Sequence, residues 1–375
     1  MNYKNLSIVL AIVAIVFIGV SVYTIATYPA PTTPQTITID GAGSTFVAPL
    51  YQEWASEYKN LTGVQISYTG IGSGAGVNDF YAKVVDFAAS DPPLSSTQYT
   101  NFTTAGLLPL HIPTAIGGVT IPYNIPGITA HLNFTAYLLA QIFNGNITYW
   151  DNTNITSLNP GVTLPHQAII LCHRSDSSGT TKIFSTYLSN SGTGNYGTFK
   201  LAPGSIVSWP TNSLGGSGSS GVASLISHNQ YSIGYVELQY ALGSNLTYGQ
   251  LENPLGNFIL PSLASLTSTV NAVGAVLPAN GSLSFASVGL YLNLNGYTGG
   301  NASVGYPITS FTYIIVSRDL HLVPDMTLTK ALALRSFLLW AVNQGQAYSP
   351  GLSYVPLPAS VRALDDATIG SIYYS

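Results

Sequence analysis

The sequence predicts an α/β protein of two lobes built on mixed, mainly parallel sheets. The length suits two lobes of ordinary size, short apolar strands alternate with helix-period segments, and Gly/Ser/Thr loops sit between strand and helix. Of the 375 residues 46 % are hydrophobic, which argues against wholesale disorder despite 37 glycines.

Charge is scarce. Only 6 % of residues are Asp, Glu, Lys or Arg, where about 25 % is usual. Tyr, Ser, Thr and Asn are therefore expected to supply the solvated surface. The sparse charge fits either an acidic exterior, where every cation adds uncompensated repulsion, or a glycan-covered surface. A net charge of −4 leaves no polybasic field, which argues against nucleic acid as a partner. A single cysteine, Cys172, excludes an intramolecular disulfide and a cysteine metal cluster. The six histidines show no metal-ligand spacing, and no cofactor is expected.

Taken in order, the chain opens with Lys4 and an uncharged apolar stretch from Ser7 to Ala26. At about 1.5 Å per residue it spans a hydrocarbon core of about 30 Å. A cleaved signal has a shorter apolar region of about 7–15 residues, so the length favours a retained anchor over residues 1–28. Lys4 puts the short N-terminal side in the cytoplasm and the bulk of the chain outside. Residues 29–36 form a Pro/Thr linker. Asn-x-Ser/Thr sequons follow at Asn60, Asn101, Asn133, Asn146, Asn154, Asn245, Asn280 and Asn301, the candidate N-glycosylation positions.

Ile37–Ile39 reads as a strand, Gly41–Phe46 as a loop, and Leu50, Tyr51, Trp54, Ala55 and Tyr58 as one face of a helix that stops at Gly63. Val64, Ile66 and Tyr68 alternate as a second strand. Gly70–Gly76 reads as a loop, followed by a short helix around Phe80–Val84. Val85–Ala89 is a third strand ending at Ser90-Asp91. The pattern returns at Ala168–Cys172, a loop at His173–Thr180, and a helix carrying Ile183, Phe184, Tyr187 and Leu188. Residues 249–304 lack a clear period and read as a loop-rich insertion. Tyr306–Val316 is a buried strand and Leu334–Val342 an amphipathic helix.

In such sheets ligands sit beyond the carboxyl ends of the strands, where these loops lie. The loops offer what holds an oxyanion: helix N-termini, hydroxyls and one fixed cation. Thr45 and Phe46 are expected to begin one helix, Ser73 to lie within a glycine loop, and Ser178-Gly179-Thr180 to open another helix after Arg174. Taken singly each has a plain structural reading: glycine loops make turns, Arg174 and Asp176 form a surface pair, and Asp176 or Asp91 caps a turn.

Gly41–Phe46, Tyr68–Ser73, Val85–Asp91, Pro113–Val119, Arg174–Thr180, Gly234–Glu237 and Tyr306–Thr309 occur in an order that resembles the phosphate-binding proteins of ATP-driven phosphate importers. The resemblance runs across most of residues 37–361 and is weakest near 249–304. It implies a two-lobe periplasmic-binding-protein-like fold of type II with hinge strands. The first lobe takes residues 37–116, the second 117–305, and residues 306–375 return to the first. It further implies phosphate held by Thr45, the Phe46 main-chain N–H, Ser73, Arg174, Ser178, Gly179 and Thr180. Asp91 then accepts a phosphate proton, and Asp176 holds Arg174 in place. The implied partners are inorganic phosphate, ABC permease subunits with their ATPase, and the membrane through the N-terminal segment, with the protein a monomer and not an enzyme.

Three other functions compete. Another oxyanion, sulfate or molybdate, is disfavoured by Asp91, because fully ionised sulfate brings no proton for a buried carboxylate. A secreted phosphatase with Ser73 or Ser178 as nucleophile lacks a GxSxG elbow and spacing-defined His–Asp partners. A surface structural protein gives no reason for Arg174, Asp91 and three anion-ready loops to coexist.

Overall fold

The computed structural model describes residues 36–190 and 199–375. The apolar segment 7–26 and the Pro/Thr linker up to residue 35 lie outside the described residues. Among the described residues no helix is long and apolar enough to cross a membrane.

Strand β1 (Thr38–Gly43) leads through a turn into α1 (Ala48–Thr62), which buries Leu50, Tyr51, Trp54 and Tyr58. Then come β2 (Gln65–Gly70), α2 (Ser73–Tyr81), β3 (Phe87–Ser90) and α3 (Ser96–Thr104). Helix α3 starts on a capping box in which Ser95 and Gln98 satisfy each other's N–H groups. Strand β4 (Pro109–Thr120) is buried along its whole length. After β5 (Pro122–Asn124) and β6 (Asn133–Phe134) come α4 (Ala136–Phe143) and β7 (Ile170–Arg174). The chain continues through α5 (Gly179–Asn190), β8 (Leu214–Gly216), α6 (Gly218–His228), β9 (Ser232–Ile233) and β10 (Val236–Glu237). It ends with β11 (Thr247–Tyr248), β12 (Gln250–Glu252), β13 (Phe258–Ile259), α7 (Leu263–Val273), β14 (Thr309–Ser317), α8 (Leu328–Val342) and α9 (Ala359–Gly370).

These strands form a six-stranded sheet in the order β10-β4-β14-β3-β1-β2 and a five-stranded sheet in the order β11-β5-β9-β7-β8, with a small sheet β13-β12-β6 beside them. Pairing is parallel where the glycine loops emerge, at β1–β2, β1–β3, β7–β8 and β7–β9. It is antiparallel in the other ladders of the two larger sheets. The chain passes from the first sheet to the second at Ile121, between β4 and β5, and back at Gly234-Tyr235, between β9 and β10. Residues 117–120 and 236–237, expected in the second lobe, pair in the first sheet, because β4 and β10 stay in that sheet up to the crossings.

Several expectations need correction. Helix α1 begins at Ala48, so Thr45 and Phe46 precede it. Helix α2 begins at Ser73 and ends at Tyr81, so the glycine run is partly helical and the helix lies earlier than Phe80–Val84. The 249–304 segment contains α7, whose Leu266 and Val270 are buried. Tyrosine is not chiefly a surface residue: Tyr51, Tyr58, Tyr123, Tyr187, Tyr235, Tyr306, Tyr313 and Tyr354 are all buried. Tyr51 stacks on Trp54 at 5.2 Å, and the Trp54 indole N–H donates to the Gly345 carbonyl at 2.7 Å, tying α1 to the chain after α8. Seven of the sequon asparagines are exposed. Asn133 is half-buried and its amide donates to the Leu158 carbonyl.

One buried carboxyl in the first sheet's helical layer is left unpaired. Asp365 on α9 is fully buried and neither oxygen has a hydrogen-bond partner. Burial holds its carboxyl well above the ordinary range, and Asp366 adds to the shift. Its contribution to stability is present below an unfolded pKa of about 3.9 and is lost as pH rises through the higher folded value. Asp365→Asn is expected to raise stability near neutrality by about 1–3 kcal/mol and to change little near about pH 3, read by urea unfolding at both pH values.

Candidate functional site

The parallel strands β1, β2 and β3 end side by side, and their loops are tied together. Ser44 N–H donates to Ala89 O at 2.8 Å, and Ile71 and Gly72 N–H donate to Gly43 O at 2.9 and 2.8 Å. The turn Ser44-Thr45-Phe46 is fixed by three phenols from three parts of the chain. Tyr68, Tyr240 and Tyr354 donate to the carbonyls of Ser44, Thr45 and Phe46 at 2.7, 2.7 and 2.6 Å. The Phe46 N–H donates to Ser44 Oγ at 3.0 Å, so here it is engaged within the turn.

Asp91, at the end of β3, is 1 % exposed. Its Oδ1 accepts from Ser44 Oγ at 2.5 Å and from Thr312 Oγ1 at 2.9 Å; its Oδ2 accepts only a longer bond from Ser73 Oγ at 3.2 Å. Burial pushes the carboxyl up to about 7, with Glu237 adding to the rise and Ser44, Thr312 and Arg174 working against it.

Arg174 ends β7 and is likewise buried. Asp176 grips it in a fork, Nε to Oδ1 at 2.8 Å and Nη2 to Oδ2 at 2.5 Å, while Nη1 donates to Ser219 Oγ at 3.2 Å. Burial opposes the guanidinium charge, and the Asp176 carboxylate more than offsets it. Burial likewise opposes the Asp176 charge, and the Arg174 partnership holds that carboxyl below its ordinary range.

The two groups of loops meet along a seam. Thr45 Oγ1 lies 2.9 Å from Ser219 Oγ and accepts from the Ser219 N–H at 3.2 Å, and Gly74 N–H donates to Ser177 O at 3.2 Å. At Gly72, with φ at +93°, an added Cβ would fall 2.5 Å from Asp176 Oδ2. At Gly179 an added Cβ would lie 2.3 Å from Asp91 Oδ2 and 2.5 Å from Ser73 Oγ. Only a glycine lets these backbones approach so closely. Ser178 Oγ accepts from Thr181 N–H at 3.1 Å and so caps α5. Thr180 Oγ1 donates to Glu237 Oε1 at 2.5 Å.

Thr45, Ser73, Asp91, Arg174, Ser178, Gly179 and Thr180 are thus brought to one buried seam. Helix α2 starts at Ser73, α5 at Gly179 and α6 at Gly218, so the positive ends of three helices reach it. With one arginine and many hydroxyls this is chemistry for an oxyanion, and the inward carboxylate asks that the oxyanion carry hydrogen. Sequence reasoning missed Ser219, Glu237 and Thr312. The run Gly215–Gly221, glycine and serine before a helix, has the same signature as the loops that were found. Thr312 and Glu237 lie inside strands, where a polar residue gives no such signal.

A groove of about 740 Å³ lies elsewhere, lined by Tyr137, Tyr187, Glu252, Asn253, Tyr291 and Asn293 among others. Among the described residues no Lys or Arg lines it, whereas the seam holds Arg174. Among the described residues no group of His, Cys, Asp or Glu is arranged to hold a metal ion.

A PBP superfamily domain model matches residues 29–343. The chain is 36 % identical over 345 residues to the phosphate-binding protein PstS of Methanocaldococcus jannaschii, covering 88 % of this chain and 85 % of the relative. It is 38 % identical over 336 residues to PstS of Xylella fastidiosa, covering 89 % and 85 %. A periplasmic phosphate-binding protein, PfluDING, solved with phosphate, has the same fold with a TM-score of 0.71 at 22 % identity over 88 % of this chain and 93 % of that one. A phosphate-binding protein of Stenotrophomonas maltophilia gives a TM-score of 0.67 at 19 % identity over 89 % and 94 %. With identities above one third along nearly the whole of its PstS relatives, this chain belongs to the PBP superfamily and, within it, to the PstS phosphate-binding family.

Proposed function

We propose that this chain captures inorganic phosphate outside the cytoplasm and hands it to an ABC permease and its ATPase. The observation that carries this reading is Asp91: one carboxylate oxygen is saturated by Ser44 and Thr312, and the other faces the seam that Arg174 and three helix N-termini make anion-ready. Phosphate sits among Thr45, Phe46, Ser73, Ser178, Gly179, Thr180 and Arg174, its proton donated to Asp91. Binding draws together a first lobe (about 37–116 and 306–375) and a second (about 117–305), and the crossings at Ile121 and Gly234-Tyr235 supply the hinges. The protein works as a monomer, glycosylated at exposed sequons and tethered by residues 1–28.

The serines' commitments support binding without turnover. Ser73 Oγ is engaged with Asp91, and Ser178 Oγ caps α5. A phosphatase assay with turnover would end that part of the proposal.

Calorimetry on ligand-depleted protein is expected to give phosphate over sulfate by up to about 10⁴-fold at alkaline pH, since sulfate leaves the buried carboxylate unpaired. Asp91 titrates at about 7, so as pH falls through that value it becomes a donor that sulfate can use and the ratio shrinks. Asp91→Asn should bring the ratio near unity at every pH; full sulfate rejection by the variant would sink the mechanism. Gly179→Ala is expected to weaken phosphate binding by about 1–3 kcal/mol through overpacking against Asp91 and Ser73. Gly370→Ala, with no atom within 4 Å, serves as the neutral control. Fractionation of native cells should leave the full chain in membranes after a salt wash, whereas recovery in the soluble fraction would refute the tether.

A further inference from the structure

The groove of about 740 Å³ shares no residue with the phosphate seam, and its volume lies within the range of about 300–1,000 Å³ usual for ligand sites. One part of its lining is the start of α4 with the turn around Asn154 and Leu158; another is the chain after β12 with the stretch 293–295. Both parts are fixed by the protein's own bonds. Asn159 is buried and clamps the first. Its Oδ1 accepts from the Asn133 N–H at 2.7 Å, and its amide donates to the Asn133 and Ile155 carbonyls at 3.2 and 2.9 Å. Asn253, also buried, clamps the second. Its Oδ1 accepts from the N–H groups of Leu255 and Asn257 at 3.0 and 3.1 Å. Its amide donates to the carbonyls of Ala302 and Ser303 at 3.1 and 3.0 Å. At the end of α5, Tyr187 and Tyr291 pack edge to face at 5.8 Å, and the Asn190 amide donates to the Tyr291 hydroxyl at 3.3 Å. Burial raises both phenols above their ordinary range, so they stay protonated.

We propose that this groove is a second binding site, and that its ligand is a neutral carbohydrate. The lining is aromatic and amidic, with Tyr137, Tyr187, Tyr291, Asn154 and Asn293 around the single carboxyl group of Glu252. An anion would meet Glu252 with no cation among the described lining residues to offset it. An aliphatic chain would leave the amides and phenols without partners. A peptide strand would need an open sheet edge, and β12 is paired on both sides, by β13 and β6. A sugar ring suits all of these groups. Its hydroxyls donate and accept, as an asparagine amide does, and two adjacent hydroxyls can donate to the two oxygens of Glu252. Its C–H faces lie well against tyrosine rings.

A sugar can come to the groove from two sources. Asn154 lines it, is exposed, and begins the sequon Asn154-Ile155-Thr156, so a glycan carried there would start at the groove. That source rests on the proposed glycosylation. The neighbouring sequon at Asn133 differs, because its amide is committed to the Leu158 carbonyl at 3.1 Å and belongs to the wall. The other source is a free oligosaccharide of the cell exterior, which needs no modification of this chain.

The test is saturation-transfer NMR on the full chain in phosphatidylcholine nanodiscs, made in a host that adds no N-glycan. The probes are neutral di- to tetrasaccharides of glucose, mannose, galactose and N-acetylglucosamine. At least one is expected to bind with a Kd at or below about 10 mM. Tyr137→Ala should weaken that binding by about tenfold or more through loss of an aromatic face. Phosphate affinity, measured separately, should not change, so failure of the phosphate reading leaves this one standing and the reverse also holds. If circular dichroism shows that Tyr137→Ala does not fold, Glu252→Gln takes its place with the same expectation. No binding of any probe up to about 10 mM overturns the proposal, as does a Kd that the folded variant leaves within about twofold of wild type. Binding of an alanine–serine tetrapeptide where no sugar binds overturns it in favour of a peptide. The same titration on protein from native cells, wild type and Asn154→Gln, separates the sources. Sugar binding blocked in the first and restored in the second assigns the groove to the Asn154 glycan, and equal binding in both assigns it to a free oligosaccharide.

Discussion

The site depends on keeping a carboxylate buried and unneutralised. Asp91 has no cation in direct contact; it is held by the hydroxyls of Ser44, Ser73 and Thr312. Those three come from the turn after β1, the first residue of α2 and the middle of β14. Their coincidence requires the β1–β3 and β3–β14 ladders to be in register. A slip of one residue in β14 would turn Thr312 to the opposite face of the sheet and leave Oδ1 with one donor fewer. The first sheet is in this sense a device for orienting one side chain.

The seam is built with equal economy. One hydroxyl pair, Thr45–Ser219, the Ser219 N–H to the Thr45 hydroxyl, and one backbone bond, Gly74–Ser177, join the two groups of loops. Such contacts are individually worth about 0.5–1.5 kcal/mol, weak enough to be made and broken in a hinge motion. The strong interaction, the Arg174–Asp176 fork, lies within one segment and does not have to break when the seam opens. Gly179 and Gly72 keep the approach close enough for these weak bonds to form. Tyr68 and Tyr354 fix the Ser44–Phe46 turn at the carbonyls of Ser44 and Phe46, and the Tyr240 phenol, packed beside Cys172 and Val222, adds a bond to the Thr45 carbonyl across the seam.

Much of this was legible in the chain because local rules coincide with the final geometry. The face Leu50, Tyr51, Trp54 and Tyr58 of α1 follows from helical spacing, and it is the face that is buried. The glycine and serine loops could be found because a strand-to-helix junction near a ligand needs small residues. Helix α7 was illegible for the opposite reason. Its sequence, Leu263–Val273, is rich in Ser, Thr and Val, which lower helix propensity. The helix exists because Leu266 meets Gly118 on β4 and Thr269 bonds the Tyr306 carbonyl, contacts that no local pattern announces. The buried tyrosines escaped notice similarly: composition counts phenols but says nothing of which have a carbonyl within reach.

The use of acids in this sparsely charged chain shows why hydroxyls surround Asp91. Of fourteen acidic residues, five are buried: Asp86, Asp91, Glu237, Asp319 and Asp365. Asp86 is paired with Lys330 at 2.8 Å, a contact that answers its charge. Asp365 has no donor at all, and burial, with Asp366 beside it, drives it toward the neutral acid. Asp91 lies between these extremes. A lysine in place of Thr312 would cancel its charge and end its power to demand a proton from a ligand. An absence of donors would protonate it throughout the neutral range and make it a donor instead. Hydroxyl bonds stabilise the anion without neutralising it, and they hold the titration at about 7, where the group can still accept. On the proposed reading, selectivity for a proton-bearing oxyanion requires an environment of intermediate polarity, and the three hydroxyls, from a turn, a helix start and a strand, supply it.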